Sequence, residues 1–151
     1  MSFIQKSLWG QLAIFIIIGI YYFTNTLELI AANILSGQSI TWLLLKLVIF
    51  KVVLYIVYHT IIAAIHVKEA NKHDERDKLI DLYGSRSAYH TLTAVVVILL
   101  YMIWQGPIQD IPFTFALLPD AYNLLHLLLM GFFLAEIIKI VTQLYYYKRG
   151  F

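Results

Sequence analysis

Residues 42–65 read WLLLKLVIFKVVLYIVYHTIIAAI, a run in which Lys46, Lys51 and His59 interrupt mostly apolar and aromatic side chains. A helix needs about 20 mostly apolar residues to cross a hydrocarbon layer roughly 30 Å thick. This stretch therefore predicts a transmembrane helix over about 42–67. Further apolar blocks predict helices over about 8–24, 87–104 and 121–147.

The composition is that of a protein embedded in lipid. Of 151 residues, 61% are hydrophobic and 13% are charged, which is too few polar side chains to cover a soluble domain of this length. We therefore predict an all-α fold, a four-helix transmembrane bundle in which residues 1–151 form a single integral membrane domain. Because no cleavage site of small residues closes the first block, we expect its helix to be retained.

The basic residues are distributed unevenly between the connections. Segments 25–41 and 105–120 contain no Lys or Arg, whereas Lys6 precedes the first helix and Lys148 and Arg149 follow the fourth. The central loop, about 68–86, holds Lys68, Lys72, Arg76, Lys78 and Arg86. Basic residues near helix ends stay on the cytoplasmic side of a membrane. We therefore predict that both termini and the central loop are cytoplasmic.

The central loop has the pattern of a short amphipathic helix lying at the membrane surface. Asp74 suits an N-cap, and acidic side chains at Glu75 and Asp77 favour the first turn. The apolar side would be formed by Leu79, Ile80, Leu82 and Tyr83. Gly84 could end this helix.

The charged groups of the loop and of the neighbouring helix ends suggest a contact that fixes the loop. Bidentate Arg–carboxylate pairs would latch the loop onto the bundle, or the same groups would form a docking surface for a partner. The residues concerned are Asp74, Glu75, Arg76, Asp77, Arg86 and Arg149.

The same region resembles a class of small, uncharacterised bacterial inner-membrane proteins. The residues that carry the resemblance are Asp74-Glu75-Arg76-Asp77, Ile80, Gly84, Arg86 and Ala88-Tyr89, with Ala135-Glu136, Lys139 and Tyr145-Tyr146-Tyr147-Lys148-Arg149-Gly150 near the C-terminal end. In that class an Asp-Glu-Arg signature follows the second of four helices. The resemblance implies a bacterial inner-membrane location and a four-helix fold, and no activity.

Several polar residues lie inside the apolar blocks, where an ionisable group costs about 2.5–3.5 kcal/mol on insertion scales. They are Lys46, Lys51, His59, Glu136 and Lys139. One hypothesis is a buried Lys51–Glu136 pair on a proton or ion route. The alternatives are an interhelical tie with Lys46 reaching outward, or a pair of Glu136 with Lys139 on the same helix.

The histidines raise the alternative of a metal or haem site. His66, Glu69 and His73 share one helix face if the second helix continues to residue 73, and His90 lies at a similar depth. The spacing lacks the paired Glu-x-x-His of carboxylate metal sites, and the absence of cysteine excludes thiolate ligands. We expect neither a metal nor a cofactor.

The sequence lacks a recognisable catalytic arrangement, and its net charge of +2 is too small and scattered for a nucleic-acid partner. We expect a non-enzymatic accessory, regulatory or structural subunit that acts through homo-oligomerisation or through binding another membrane protein in the bilayer. The alternatives are a small ion, proton or solute transport oligomer that uses Lys51 and Glu136, and a haem-binding electron carrier.

Overall fold

The computed structural model describes residues 3–65, 74–105 and 120–150. Four helices occupy them: α1 at Phe3–Ala31, α2 at Gly37–Ile65, α3 at Glu75–Gln105 and α4 at Asp120–Arg149. Each helix is long and apolar enough to cross a membrane, which confirms the predicted all-α class with four candidate membrane spans. α1, α3 and α4 extend beyond the predicted apolar blocks at both ends, whereas α2 does so only at its start.

The α1–α2 turn is set by local hydrogen bonds. Asn33 has a left-handed backbone with φ of 54°, and the Ile34 N–H donates to the Leu29 carbonyl at 3.1 Å, which satisfies the end of α1. Ser36 and Ser39 then cap α2 reciprocally. The Ser36 N–H donates to Ser39 Oγ at 2.8 Å, and the Ser39 N–H donates to Ser36 Oγ at 3.2 Å.

The start of α3 confirms the predicted N-cap at Asp74. Its Oδ1 accepts the Glu75 N–H at 2.7 Å, and Asp77 returns the contact by accepting the Asp74 N–H at 3.2 Å. The prediction of a short separate helix in the central loop is wrong, since residues 75–86 form the first turns of one continuous α3. Gly84 does not end a helix, since it lies inside α3, where its lack of a side chain leaves room for Gln143 of α4.

The helices pack in the order α2, α1, α4, α3. Extended contacts join α1 to α2, α1 to α4 and α3 to α4, whereas α2 and α3 share no extended contact within the described ranges. The α1–α2 core is built around Ile14, Ile18, Tyr22, Leu43 and Leu47. Leu8, Phe15 and Ile140 form the α1–α4 core, while Leu99 and Met102 form part of the α3–α4 core. The bundle is therefore open on the side between α2 and α3.

Glycines allow close approach at three helix crossings. A Cβ at Gly10 would overlap the Tyr58 ring, and one at Gly131 would overlap the Val95 side chain. At Gly84 it would lie 2.6 Å from Cγ of Gln143 on α4. Gly19 has open space around its Cα and makes no such contact. The α3–α4 pair thus depends on two of these glycines, which explains its close packing.

The start of α1 and the end of α4 lie at the same end of the bundle. The Gln5 side chain donates to the Tyr147 carbonyl at 3.3 Å, and the Tyr58 hydroxyl donates to the Lys6 carbonyl at 2.8 Å. Glu75, which begins α3, is at this end too. We call it the terminal end; the opposite end carries the α1–α2 turn. The remaining helix surfaces are largely apolar and exposed, as expected where lipid is the solvent.

Candidate functional site, a polar cleft at the terminal end

A cavity of about 400 Å³ opens at the terminal end, and residues of all four helices line it. α1 and α4 form its floor, and α2 and α3 stand on either side. The lining polar residues are Ser7, Gln11, Tyr55, Asp77, Lys78, Asp81, Lys139, Gln143 and Tyr147. We call this cavity the polar cleft. It exists because the bundle does not close between α2 and α3.

Two aspartates one helical turn apart tie the α3 wall of the cleft to α4. The Tyr147 hydroxyl donates to Oδ1 of Asp77 at 2.7 Å. The buried Gln143 amide donates to Oδ1 of Asp81 at 2.8 Å, and the Lys139 ammonium lies 3.5 Å from the same oxygen. Asp77 therefore both caps α3 and joins it to α4, so the acidic signature has a structural role.

The start of α3 is held against α4, but not by the arginines that were predicted to do so. Within the described parts of the chain, Arg86 is exposed and pairs with none of the signature carboxylates. Arg149 donates to the Tyr145 hydroxyl at 3.1 Å, and the Arg76 guanidinium lies 6.0 Å from the centre of the Tyr147 ring. Tyr and Gln side chains on α4 make the ties instead, because they lie in register with the aspartates.

Deeper in the cleft, α1 and α2 contribute a second polar group. Nε2 of His59 lies 3.4 Å from Nε2 of Gln11, and the His59 ring packs on Tyr55 with centroids 4.2 Å apart. The polar lining thus continues inward from the terminal end. Glu136 of α4 is exposed and is not a lining residue of the cleft. At 3.6 residues per turn, Glu136 shares the face of α4 that carries Gln143.

Lys51 lies deepest, with its ammonium 4.7 Å from the centre of the Phe15 ring, a cation–π contact. Lys51 and Glu136 do not form an ion pair with each other. In the part of the chain that the structure describes, the ion pair within 4 Å is Lys139–Asp81. The predicted Lys51–Glu136 and Glu136–Lys139 pairs are therefore not formed, since Lys139 turns to α3.

Lys46 does not belong to the polar cleft. It is exposed and lines a separate cavity of about 490 Å³ toward the opposite end, together with Asn25, Glu28 and Ser39. The predicted intramembrane set is thus divided. Lys139 lines the cleft, and His59 contacts the lining residues Gln11 and Tyr55. Lys51 and Glu136 are not among the lining residues, and Lys46 lines the other cavity.

A polar contact in the core was also missed by sequence reasoning. The Tyr22 hydroxyl and Nδ1 of His126 are hydrogen-bonded in the core, where His126 is 3% exposed. Nε2 of His126 and Oγ1 of Thr26 are buried without a partner among the described residues. The sequence did contain a signal for this contact, because a histidine inside an apolar helix usually faces the bundle interior.

The proposed histidine ligands lie mostly beyond the described residues. His66, Glu69 and His73 fall outside them, and His90 is exposed beside the Tyr89 ring. Among the side chains that are described, no three His, Asp or Glu residues are grouped to hold a metal ion. The cleft can instead bind a polar group through its ammonium, carboxylate, amide and phenol side chains.

Comparisons with known proteins identify no relative, since no family model, curated protein or solved structure matches the chain. The function therefore has to be argued from the described residues.

Proposed function

We propose that the protein is a non-enzymatic accessory subunit of a bacterial inner membrane, with both termini in the cytoplasm. In this proposal it acts by assembly, either with further copies of itself or with another membrane protein. The uneven distribution of basic residues supports the orientation. The four apolar helices support the location in a membrane.

The observation that carries the proposal is an exposed apolar strip on the first turns of α3. Leu79, Leu82 and Tyr89 are 45%, 61% and 67% exposed, and they lie on the side of α3 away from the α4 contact made by Ile80 and Gly84. We call these three residues the α3 strip. Apolar side chains grouped on a polar surface are typical of interaction sites.

The length of α3 supports a position of the strip at the membrane surface. Its 31 residues span about 46 Å, whereas the hydrocarbon layer is about 30 Å thick. With Trp104 near the far interface, the turn around Leu79 and Leu82 extends beyond the hydrocarbon. Lipid tails do not reach these two leucines there, so in this proposal a partner protein covers them.

The test is native mass spectrometry of the protein released from nanodiscs, comparing the wild type with a variant of the strip. We expect a discrete oligomer, or a complex of fixed stoichiometry, that L79A/L82A dissociates. The matched control is V97A/L100A, which shortens two side chains of the same helix that are each 59% exposed at lipid depth. A monomer in the wild type, or equal assembly of L79A/L82A and wild type, would contradict the proposal.

A second candidate is ion or proton transport, which is favoured by the polar cleft together with the ionisable side chains of Glu136 and Lys51 farther along the helices. Beyond them the apolar cluster around Ile18 and Leu47 separates the cleft from the opposite end. Transport predicts that E136Q abolishes proton flux into liposomes, measured with an enclosed pH-sensitive dye, whereas E28Q in the other cavity does not. Equal flux in E136Q and wild type would exclude this role for Glu136.

A further inference from the structure

The mouth of the polar cleft carries charges of both signs in equal number. Asp77, Lys78, Asp81 and Lys139 line it, so two carboxylates face two ammonium groups around one cavity. We propose that this mouth binds the headgroup of a zwitterionic membrane phospholipid, with a phosphate on the lysines and an ammonium on the aspartates. The ligand class is a phosphoethanolamine lipid. This binding site requires no partner protein and is independent of the assembly proposed above.

The lysines have the donor capacity that a phosphate needs. Lys139 is half-buried and reaches one carboxylate oxygen at 3.5 Å, so a compact ammonium with three N–H donors is only partly used. Lys78 is exposed and forms no ion pair within the described ranges. Both ammonium groups can therefore turn toward one phosphate, as lysine does in many phosphate sites.

The aspartates are held in place by α4 and present acceptors to the cavity. The contacts of Asp81 with Gln143 and Lys139 both use Oδ1, and the side chain of Asp81 is 66% exposed. The tie from Tyr147 fixes Asp77 one turn away. An ammonium needs several oxygen acceptors at once, and the two carboxylates supply them from one wall of the cleft.

The position of the cleft favours a lipid over a soluble zwitterion. The cleft lies where the helices reach the membrane surface, and Ile4, Leu8 and Ile80 line it next to the charged groups. Because α2 and α3 do not pack along each other, the cavity is open sideways to the bilayer. A headgroup can enter by that route while its acyl chains stay against the apolar helix surfaces.

The charge balance favours a zwitterion over an anionic lipid. A basic pocket between transmembrane helices binds anionic headgroups, because nothing opposes the negative charge. Here the two aspartates would repel the net negative charge of a phosphatidylglycerol headgroup. In a zwitterionic headgroup the ammonium pairs with these carboxylates while the phosphate pairs with the lysines.

Lipid titration followed by native mass spectrometry tests the proposal on the intact protein. We expect one phosphatidylethanolamine to bind about tenfold more tightly than phosphatidylglycerol of the same chains. K78M and D81N should each weaken phosphatidylethanolamine binding by a similar factor. K46M, at a lysine of the other cavity, should leave it unchanged. Soluble O-phosphoethanolamine at millimolar concentration should not displace the lipid.

The opposite results overturn the proposal. They are equal or tighter binding of phosphatidylglycerol, the same loss in K46M as in K78M, or displacement by soluble O-phosphoethanolamine, which would mark a solute site instead. D81N also removes the ion pair with Lys139 and makes a weaker acceptor for the Gln143 amide, so its fold is checked by circular dichroism. Lys78 holds no other part of the structure by an ion pair among the described residues, so K78M decides if D81N fails to fold.

Discussion

The hydroxyl of Tyr147 donates a 2.7 Å hydrogen bond to Oδ1 of Asp77, which joins the last turns of α4 to the first turn of α3. The other carboxylate oxygen of Asp77 accepts the Asp74 N–H at 3.2 Å. One side chain therefore both begins a helix and fixes its position on a neighbour.

Removing the Tyr147 hydroxyl should loosen the α3–α4 pair without unfolding either helix. We expect Y147F to lower the free energy of unfolding by about 1–2 kcal/mol, because a hydrogen bond to a charged acceptor is lost. Unfolding in mixed detergent, followed by circular dichroism, measures this. Y145F is the control, since Tyr145 is exposed and, among the described residues, its hydroxyl contacts the surface side chain of Arg149. Equal stability of Y147F and wild type would show that the tie contributes nothing.

Replacing Asp77 with Ala should have a larger effect than Y147F, because the cap is lost together with the tie. A lost N-cap contact alone costs about 1 kcal/mol. The first turns of α3 should then be cut faster in limited proteolysis, and E75Q, which keeps both contacts, should be cut at the wild-type rate. If D77A resists protease as the wild type does, Asp77 does not hold this part of α3.

Gly131 should tolerate substitution less well than Gly19. A Cβ at Gly131 meets the Val95 side chain, which is branched and cannot turn away easily, so G131A should destabilise the protein by about 1–3 kcal/mol. G19A should be neutral or slightly stabilising, since the site is open and Ala is the better helix former. Thermal unfolding in detergent compares the two variants. Similar transition temperatures for both would contradict the close α3–α4 approach.

The Tyr22–His126 hydrogen bond should show non-additive energetics. Y22F leaves Nδ1 of His126 buried without a partner and should cost about 1–3 kcal/mol. The double variant Y22F/H126L removes both polar groups and should recover part of that loss. Y21F, in a half-buried ring that packs on Phe50, is the control. Additive losses in Y22F, H126L and the double variant would mean that the two side chains do not interact.

The sequence was sufficient for the number of helices, because long apolar blocks identify spans directly. The N-cap at Asp74 was also predictable, since an acidic side chain directly before a helix can accept a hydrogen bond from a backbone N–H of the first turn. The continuity of α3 through Gly84 was not, because a glycine that ends a helix and one that admits a neighbour such as Gln143 look alike in sequence.

Side-chain partners in the cleft could not be assigned from sequence for a related reason. When every face of a helix is apolar, the pattern does not say which face meets which neighbour. The prediction that Glu136 pairs with Lys51 rested on charge complementarity alone. In the structure Lys139 pairs with Asp81, and Lys51 contacts the Phe15 ring. Tyr147 and Gln143, which make the ties to α3, carry no charge and so gave no signal.

The central place of α1 has a consequence for how the protein is made. α1 leaves the ribosome before α2, α3 and α4, yet one of its contact surfaces, formed by Leu8 and Phe15, packs against Ile140 on α4. This surface of α1 remains unpacked in the bilayer, in contact with lipid or a chaperone, while the intervening residues are synthesised and inserted. The contact between α1 and α4 can therefore form only after the helices between them have been synthesised. Mutations at this surface should trap an inserted but incomplete protein that quality-control proteases can recognise.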